Sequence, residues 1–314
     1  MRTISRRGLL GAAVGGAAGK ATAMAASTYP IIDPHVHVWK RDPRIPFAKD
    51  APLPPPDTDA TPEMLLALMK ANGVSKNVII QVSHYLYDNR YAAEAIRRYP
   101  QVFTGVCRVD PEDPAAPDRL SHLCEVDRFQ GVRLSPAVEP RGDWIRGPLM
   151  TPLWARCHQL GVPMTIQTKS PRMPDVGKLC EKFPDLTVVI DHMADTPPEE
   201  PRELDKLLAL QRYPRVFVKI SHTWWVSKQP YPYPDALAQV KKLYDRFGPR
   251  RLMWGTDWPI VEKYCGYARA LAVVRDEMKF LSEEDRRWIL GKTVEQVWKF
   301  GGGAANARET KAEP

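Results

Sequence analysis

Two histidines one residue apart, His35 and His37, stand near the end of the first apolar run of the chain, residues 31–38. In an extended strand, residues i and i+2 face the same side. Both imidazoles can therefore point into one pocket and share a ligand. A lone strand histidine is usually a packing group, and two at this spacing late in a strand are a more specific signal. Asp257 is the third candidate, in Trp254-Gly255-Thr256-Asp257-Trp258-Pro259. An aspartate after an apolar run can simply cap the next helix, but Pro259 so soon afterwards points to a loop. His192 is the fourth, closing Val188-Val189-Ile190-Asp191-His192-Met193. Imidazole titrates near neutral pH and suits proton transfer or carbonyl polarisation. Alone, His192 reads as structural as readily as functional. Beside the other three, it reads as functional.

These residues need a scaffold that brings distant strand ends together. Short β-branched runs occur at 31–38, 78–83, 102–108, 131–135, 162–168, 186–192, 216–221 and 251–257. Segments of helical periodicity, such as 63–71 and 204–211, lie between them. Strands alternating with helices imply parallel βαβ units. Eight in succession predict an α/β fold, a single-domain (β/α)8 barrel over residues 30–300. An open doubly wound sheet would carry a glycine-rich phosphate loop after its first strand, and this chain has Asp33-Pro34-His35-Val36-His37 there. In a closed barrel the first and eighth strands are neighbours, so Asp257 can approach His35 and His37. Loops that follow the strands form the catalytic face. The proline-rich stretch 40–60 and the aromatic stretch 222–234, with Trp224, Trp225, Tyr231 and Tyr233, should border the pocket. They would serve there as substrate contacts, or as packing over the barrel mouth or against a second subunit.

Composition narrows the function classes. The 314 residues are 44% hydrophobic and 9% aromatic, ordinary for a globular domain. Four of the eight net positive charges, on Arg2, Arg6, Arg7 and Lys20, lie within residues 1–25, which contain no acid. No block of like charge follows, which sets nucleic-acid binding aside. The five cysteines are odd in number and widely spaced, against a disulfide framework or structural zinc site. Arg6-Arg7, a glycine- and alanine-rich apolar stretch and Ala23-Met24-Ala25 together read as a cleavable twin-arginine signal peptide over 1–25. The apolar stretch is too short to span a bilayer stably. The expected partner is the twin-arginine export machinery, and the expected location is periplasmic or secreted. Residues 301–314 read as a disordered tail.

The chain resembles the amidohydrolase-related barrel hydrolases, in the branch that includes sugar-acid and dicarboxylate lactonases. The matching pieces are Ile32-Asp33-x-His35-x-His37-Val38-Trp39, Gly131-Val132-Arg133, Asp191-His192-Met193, Val218-Lys219-Ile220-Ser221 and the segment around Asp257. Each is weak alone, but the ordered set over residues 31–259 is specific. Thr293 stands where such chains often have the asparagine of a Gly-x-Asn segment. The resemblance implies His35 and His37 as metal ligands in metal-using relatives, and Asp257 as ligand, general base or both. It implies that His192 polarises the scissile carbonyl or shuttles a proton. It also implies that Arg133 binds a substrate carboxylate or carbonyl, as its planar fork suits, although an ion pair at the strand end would explain Arg133 equally. His84 and Lys169 follow strands two and five and are candidate substrate contacts. His122 and His158 lie in helical stretches, and His222 carries no assignment.

Metal-dependent relatives commonly supply a fifth-strand histidine, where this chain has Gln167. Two readings follow. In one, His35, His37 and Asp257 hold a divalent metal, zinc foremost, with water in the open position. In the other no metal binds, Asp257 activates water, and the histidines with Arg133 hold the carbonyl oxygen. The expected function is hydrolysis of a lactone or related C–O/C–N bond in a small organic acid. A metal-dependent nonoxidative decarboxylase of an unsaturated or aromatic acid is one alternative. A periplasmic ligand-binding protein on a decayed enzyme fold is another, which the retained His35, His37, His192 and Asp257 oppose.

Overall fold

A computed structural model describes residues 29–136 and 142–301. The leader read at 1–25 and the tail beyond Gly301 lie outside the described residues. Eight strands run β1 (Ile31–Val36), β2 (Val74–Ile80), β3 (Phe103–Val106), β4 (Val132–Leu134), β5 (Met164–Ile166), β6 (Val188–Ile190), β7 (Val216–Lys219) and β8 (Leu252–Met253). They pair in parallel as β1-β2-β3 and as β4-β5-β6-β7-β8. Single parallel bridges close the two seams, Cys107 to Val132 and Val36 to Trp258. The result is the expected (β/α)8 barrel.

Local sequence sets the elements. Helix α1 (Pro62–Asn72) begins where the Thr61 hydroxyl accepts from the Met64 amide and Pro62 takes the first position, which needs no donor. It ends at Gly73, whose φ of +71° a side chain would resist. The chain then enters β2 at Val74, four residues before the expected start. Along the strands, alternate residues feed two apolar layers. Ile32, Val78, Ile80, Val106, Val189, Phe217 and Met253 fill the barrel, joined by Val294 and Trp298 from the C-terminal helical segment. Ile31, Ile79, Val188, Ile190, Val216, Val218 and Leu252 pack outward against the helices. Full burial of each such side chain stabilises by roughly 1.5–3 kcal/mol. Buried Thr293 bonds through its hydroxyl to the Pro249 carbonyl.

Most strands stop short of the expected ends, and β8 holds only two residues. Beyond Met253, side-chain bonds join backbone ones along the β1–β8 seam. The buried Asp33 carboxylate accepts from the Thr256 amide (3.2 Å) and hydroxyl (2.6 Å). The Asp257 amide donates to the His35 carbonyl at 2.9 Å and the His37 amide to the Trp258 carbonyl at 2.7 Å. The β1–β8 seam is therefore stitched beside the candidate site. Gly255 permits this approach, because a Cβ there would lie 3.2 Å from that of His35. Cys107, Cys124, Cys157 and Cys180 are buried free thiols. Among the described residues, no helix is long and apolar enough to cross a membrane.

Candidate active site

The four sequence candidates meet at the C-terminal ends of the strands. His35 lies within β1 and His37 just beyond it. Asp257 Oδ1 stands 3.0 Å from His37 Nε2 and 3.5 Å from His35 Nε2. The two rings are 5.1 Å apart and nearly perpendicular. Barrel closure thus brings Asp257 to the histidine pair, as expected from strand order.

The two histidines are wired differently. His37 Nδ1 lies 2.7 Å from the Ile80 carbonyl, which can only accept, so Nδ1 carries a proton. In neutral His37, Nε2 is then a bare lone pair facing the Asp257 carboxylate. Two acceptors so placed call for a proton or a cation between them. His35 Nδ1 instead meets the Lys219 ammonium at 3.1 Å and Asp191 Oδ1 at 3.3 Å. Burial, then the Lys219 charge, pushes the His35 pKa down to about 3, so the ring is neutral. His35 Nε2 and Asp257 Oδ1 are both buried without a hydrogen-bond partner. A tetrahedral ion with bonds near 2.0–2.2 Å holds its ligand atoms about 3.3–3.6 Å apart. The 3.5 Å separation lies in that range and the 3.0 Å one about 0.3 Å below it, and with the orphaned atoms they fit His35, His37 and Asp257 as a divalent-metal set.

Beneath them lies a buried charge network. Asp191 Oδ1 is 3.0 Å from Lys219 Nζ, and its Oδ2 accepts from Arg133 Nε at 2.9 Å. Burial alone would raise the Asp191 pKa. The charges of Lys219 and Arg133 override it and hold the carboxyl well below the usual range. Arg133 therefore makes the strand-end ion pair and also lines the cavity.

His222, which the sequence left unassigned, is central. Its Nε2 lies 2.9 Å from Asp257 Oδ2 and its Nδ1 3.0 Å from Asp195 Oδ1. Burial opposes its charge, but these two carboxylates raise its pKa to about 9. His222 is thus an imidazolium at neutral pH, held between Asp195 and Asp257. Burial would raise the Asp257 pKa, but the hydrogen bond from His222 and the close His37 ring hold it well below the usual range. His192 stacks on His222 with centroids 3.5 Å apart and rings parallel within 1°. Burial, then the His222 charge, keeps His192 neutral. Its Nδ1 is 2.8 Å from the Ser221 hydroxyl, which can serve either tautomer.

His192 does not end a strand. It opens a left-handed turn in which His192, Met193, Ala194 and Asp195 have φ of 52°, 54°, 53° and 43°. This turn aims His192 and Asp195 at His222. His222 and Asp257 also have positive φ, 65° and 58°. The sequence hints at His222 only through its place just after the β7 motif, and at Asp195 through its spacing from Asp191-His192.

The cavity above these groups measures about 220 Å³. Arg133, Gln167, His192, His222, Asp195 and Asp257 supply polar lining, and Leu53, Val82, Trp224, Trp225 and Ile260 the apolar lining. Both internal loops thus border the pocket, Leu53 from residues 40–60 and the two tryptophans from 222–234. His84 also lines it, and burial lowers its pKa to about 4. Lys169 corrects an expectation. β5 ends at Ile166, Gln167 takes the cavity-facing place, and the chain turns so that Lys169 is exposed outside the lining.

Residues 32–300 match the amidohydrolase family. An L-fucono-1,5-lactonase of Burkholderia ambifaria is 30% identical over 73% of this chain and 80% of its own length. A 2-pyrone-4,6-dicarboxylate hydrolase of Comamonas testosteroni is 26% identical over 73% of this chain and 76% of its own. A solved amidohydrolase of Burkholderia multivorans with bound zinc shares the fold at a TM-score of 0.72 and 20% identity, covering 85% of this chain and 98% of that one. The chain is an enzyme of the amidohydrolase family, on its lactonase branch.

Proposed function

We propose that this enzyme opens the lactone ring of a small organic acid by attack of water on the ring carbonyl. Water adds to the carbonyl carbon, the acyl C–O bond breaks, and a carboxylate and a hydroxyl group result, with one proton released. The observation that carries the reading is the Asp257 carboxylate. His222 holds one of its oxygens, and the other, unpaired and buried, faces His35 and His37 beneath the cavity.

The chain's own groups have distinct tasks in this proposal. Asp257 orients the attacking water and receives its proton. The His222 imidazolium fixes the Asp257 rotamer and balances its charge. Neutral His192 presents Nε2 to the developing oxyanion or to the departing ring oxygen, with Ser221 holding the ring through Nδ1. Arg133 offers its remaining guanidinium donors to the carbonyl end of the substrate, where positive groups lower the barrier most. His35, His37 and Asp257 would hold a divalent ion, with zinc favoured by two imidazoles and a carboxylate. Such an ion supplies Lewis acidity to carbonyl and water. The lactonase relatives and the zinc-bound family structure support this reading.

The test is a pH-indicator assay of lactone opening on purified protein, with metal content measured in parallel. Asp257→Asn should cost about 10³-fold in kcat/KM and His192→Ala about 10²-fold. Unchanged ring opening by Asp257→Asn overturns the mechanism. Release of carbon dioxide favours a decarboxylase, and tight ligand binding without turnover favours a binding protein. We also propose that the mature enzyme acts in the periplasm or is secreted, on the strength of Arg6-Arg7 and the residues that follow. Retention of an Arg6→Lys/Arg7→Lys chain in the cytoplasm would support this, and unaltered export would refute it.

A further inference from the structure

The outer wall of the cavity is chemically unlike its floor. Leu53 is 46% exposed, Trp225 52% and Tyr264 49%. These are three of the five large apolar side chains exposed among the described residues, and all three gather at one place. Leu53 and Trp225 line the cavity. Tyr264 packs on Trp224 at 4.5 Å and on Trp225 at 5.6 Å between centroids. Val82, Trp224 and Ile260 continue the apolar lining inward. Exposed apolar side chains grouped at a cleft commonly mark a ligand surface rather than a packing defect.

Charge separates the two zones as well. Arg133 is the one lysine or arginine of the described cavity lining, and it is already paired with Asp191. His84, which lines the cavity and packs edge-on against Trp39 and Phe47 behind it, is neutral near pH 7. A second carboxylate on the substrate, carried away from the scissile carbonyl, would be desolvated against this wall with no free cation in the described lining, since the His222 imidazolium is already held between Asp195 and Asp257. Hydroxyl groups in the same place would face carbon. A flat apolar ring would instead stack on Trp225 and meet the nearly perpendicular Tyr264 edge to face beside it, covering exposed aromatic surface.

Resting on the lactonase reading, we propose that the substrate is a neutral or singly charged lactone bearing a planar apolar group, with Trp225 and Tyr264 as specificity-determining residues. The scissile carbonyl meets His192, Arg133 and Asp257. The apolar ring lies between Leu53 and the aromatic pair.

The full chain is assayed with 3,4-dihydrocoumarin (an aromatic-fused neutral lactone), δ-valerolactone, L-fucono-1,5-lactone and 2-pyrone-4,6-dicarboxylate. The highest kcat/KM is expected for dihydrocoumarin. Trp225→Ala and Tyr264→Ala should each raise the KM for dihydrocoumarin about tenfold more than that for δ-valerolactone. Binding is measured separately, by dihydrocoumarin quenching of tryptophan fluorescence in Asp257→Asn and in Asp257→Asn/Trp225→Ala. If the sugar lactone or the dianion is the better substrate, or if Trp225→Ala shifts all KM values alike, the rim proposal fails and the hydrolase reading stands. If no lactone opens but dihydrocoumarin quenches Asp257→Asn fluorescence in a Trp225-dependent way, the hydrolase reading and the lactone substrate fail, and only the apolar-ring site at Trp225 stands. Absence of both turnover and quenching overturns both.

Discussion

The deep wall of the site and its mouth-side wall hold charge in different ways. The deep wall is His35, Arg133, Lys219 and Asp191, with the first three on strands β1, β4 and β7. All four are buried, and each faces an opposite charge or a polar partner. The mouth-side wall is His192, Asp195, His222 and Asp257, and every one has a left-handed backbone. A non-glycine residue in that region costs about 1–2 kcal/mol. The barrel thus places one wall by regular pairing. The other is placed by strained turns, as active sites commonly are. Strand geometry supplies rigidity, and the turns supply side-chain directions that strands cannot.

Perturbing each wall should show this division. The largest stability effect belongs to the deep wall. Asp191→Ala leaves Lys219 and Arg133 buried without their carboxylate, and such losses cost about 3–5 kcal/mol. Chemical denaturation should show it, and a loss under 1 kcal/mol would mean that the network relaxes freely. The next effect is catalytic. His222→Phe keeps an aromatic ring beside His192 but releases Asp257, so kcat should fall about 10²-fold while KM moves less. Equal losses in both constants would assign His222 to substrate binding instead.

The third effect concerns the metal. A Lys219 hydrogen bond to His35 Nδ1 favours the tautomer with the proton on Nε2 and so competes with the cation that the spacing of the site fits. Removing that donor lets Nδ1–H turn to Asp191, the arrangement that orients a ligating histidine. Lys219→Met should therefore tighten zinc binding about tenfold in a chelator competition, and weaker binding would reverse the assignment. A fourth effect is pH dependence in the presence of chelator. His222 is raised to about 9 from 6.5. Its contribution to stability is thus complete below about pH 6.5 and is lost as pH rises through about 9. Melting temperatures over that window should fall in the parent and flatten in His222→Phe. The smallest effect is Ala194→Gly. Relief of the positive φ, about 1–2 kcal/mol, offsets loss of a buried methyl, about 0.8 kcal/mol. The melting temperature should move by no more than about 4 °C, and a large drop would show that the left-handed turn costs little.

The same division decides what could be read from sequence. His35 and His37 were legible because strand period fixes their common side, and Asp257 because barrel order fixes its neighbour. Arg133 was visible, but its two alternatives prove to be one arrangement, paired and cavity-lining together. His222 and Asp195 were not legible. Their directions come from left-handed backbone at histidine, methionine, alanine and aspartate, residue types that give no local sign of it. Lys219 hides inside an apolar strand motif, and only the fold shows that its ammonium reaches His35 across the barrel. Strand ends were overextended at the same places. There the bonds of Asp33 and Thr256 join the backbone ones, and side-chain bonds leave no periodic trace. Lys169 failed because the chain turns immediately after Gln167.

The β1–β8 seam has a consequence for how the molecule comes into being. His35 and His37 leave the ribosome early, and Asp257 follows only after all eight strands have been made. The Asp257 amide reaches the His35 carbonyl only when the last strand joins the first. A nascent or truncated chain can build much of the barrel wall and still lack the floor of its own site. Catalytic competence and completion of the ring are therefore one event, and an unfinished chain is silent rather than partly active.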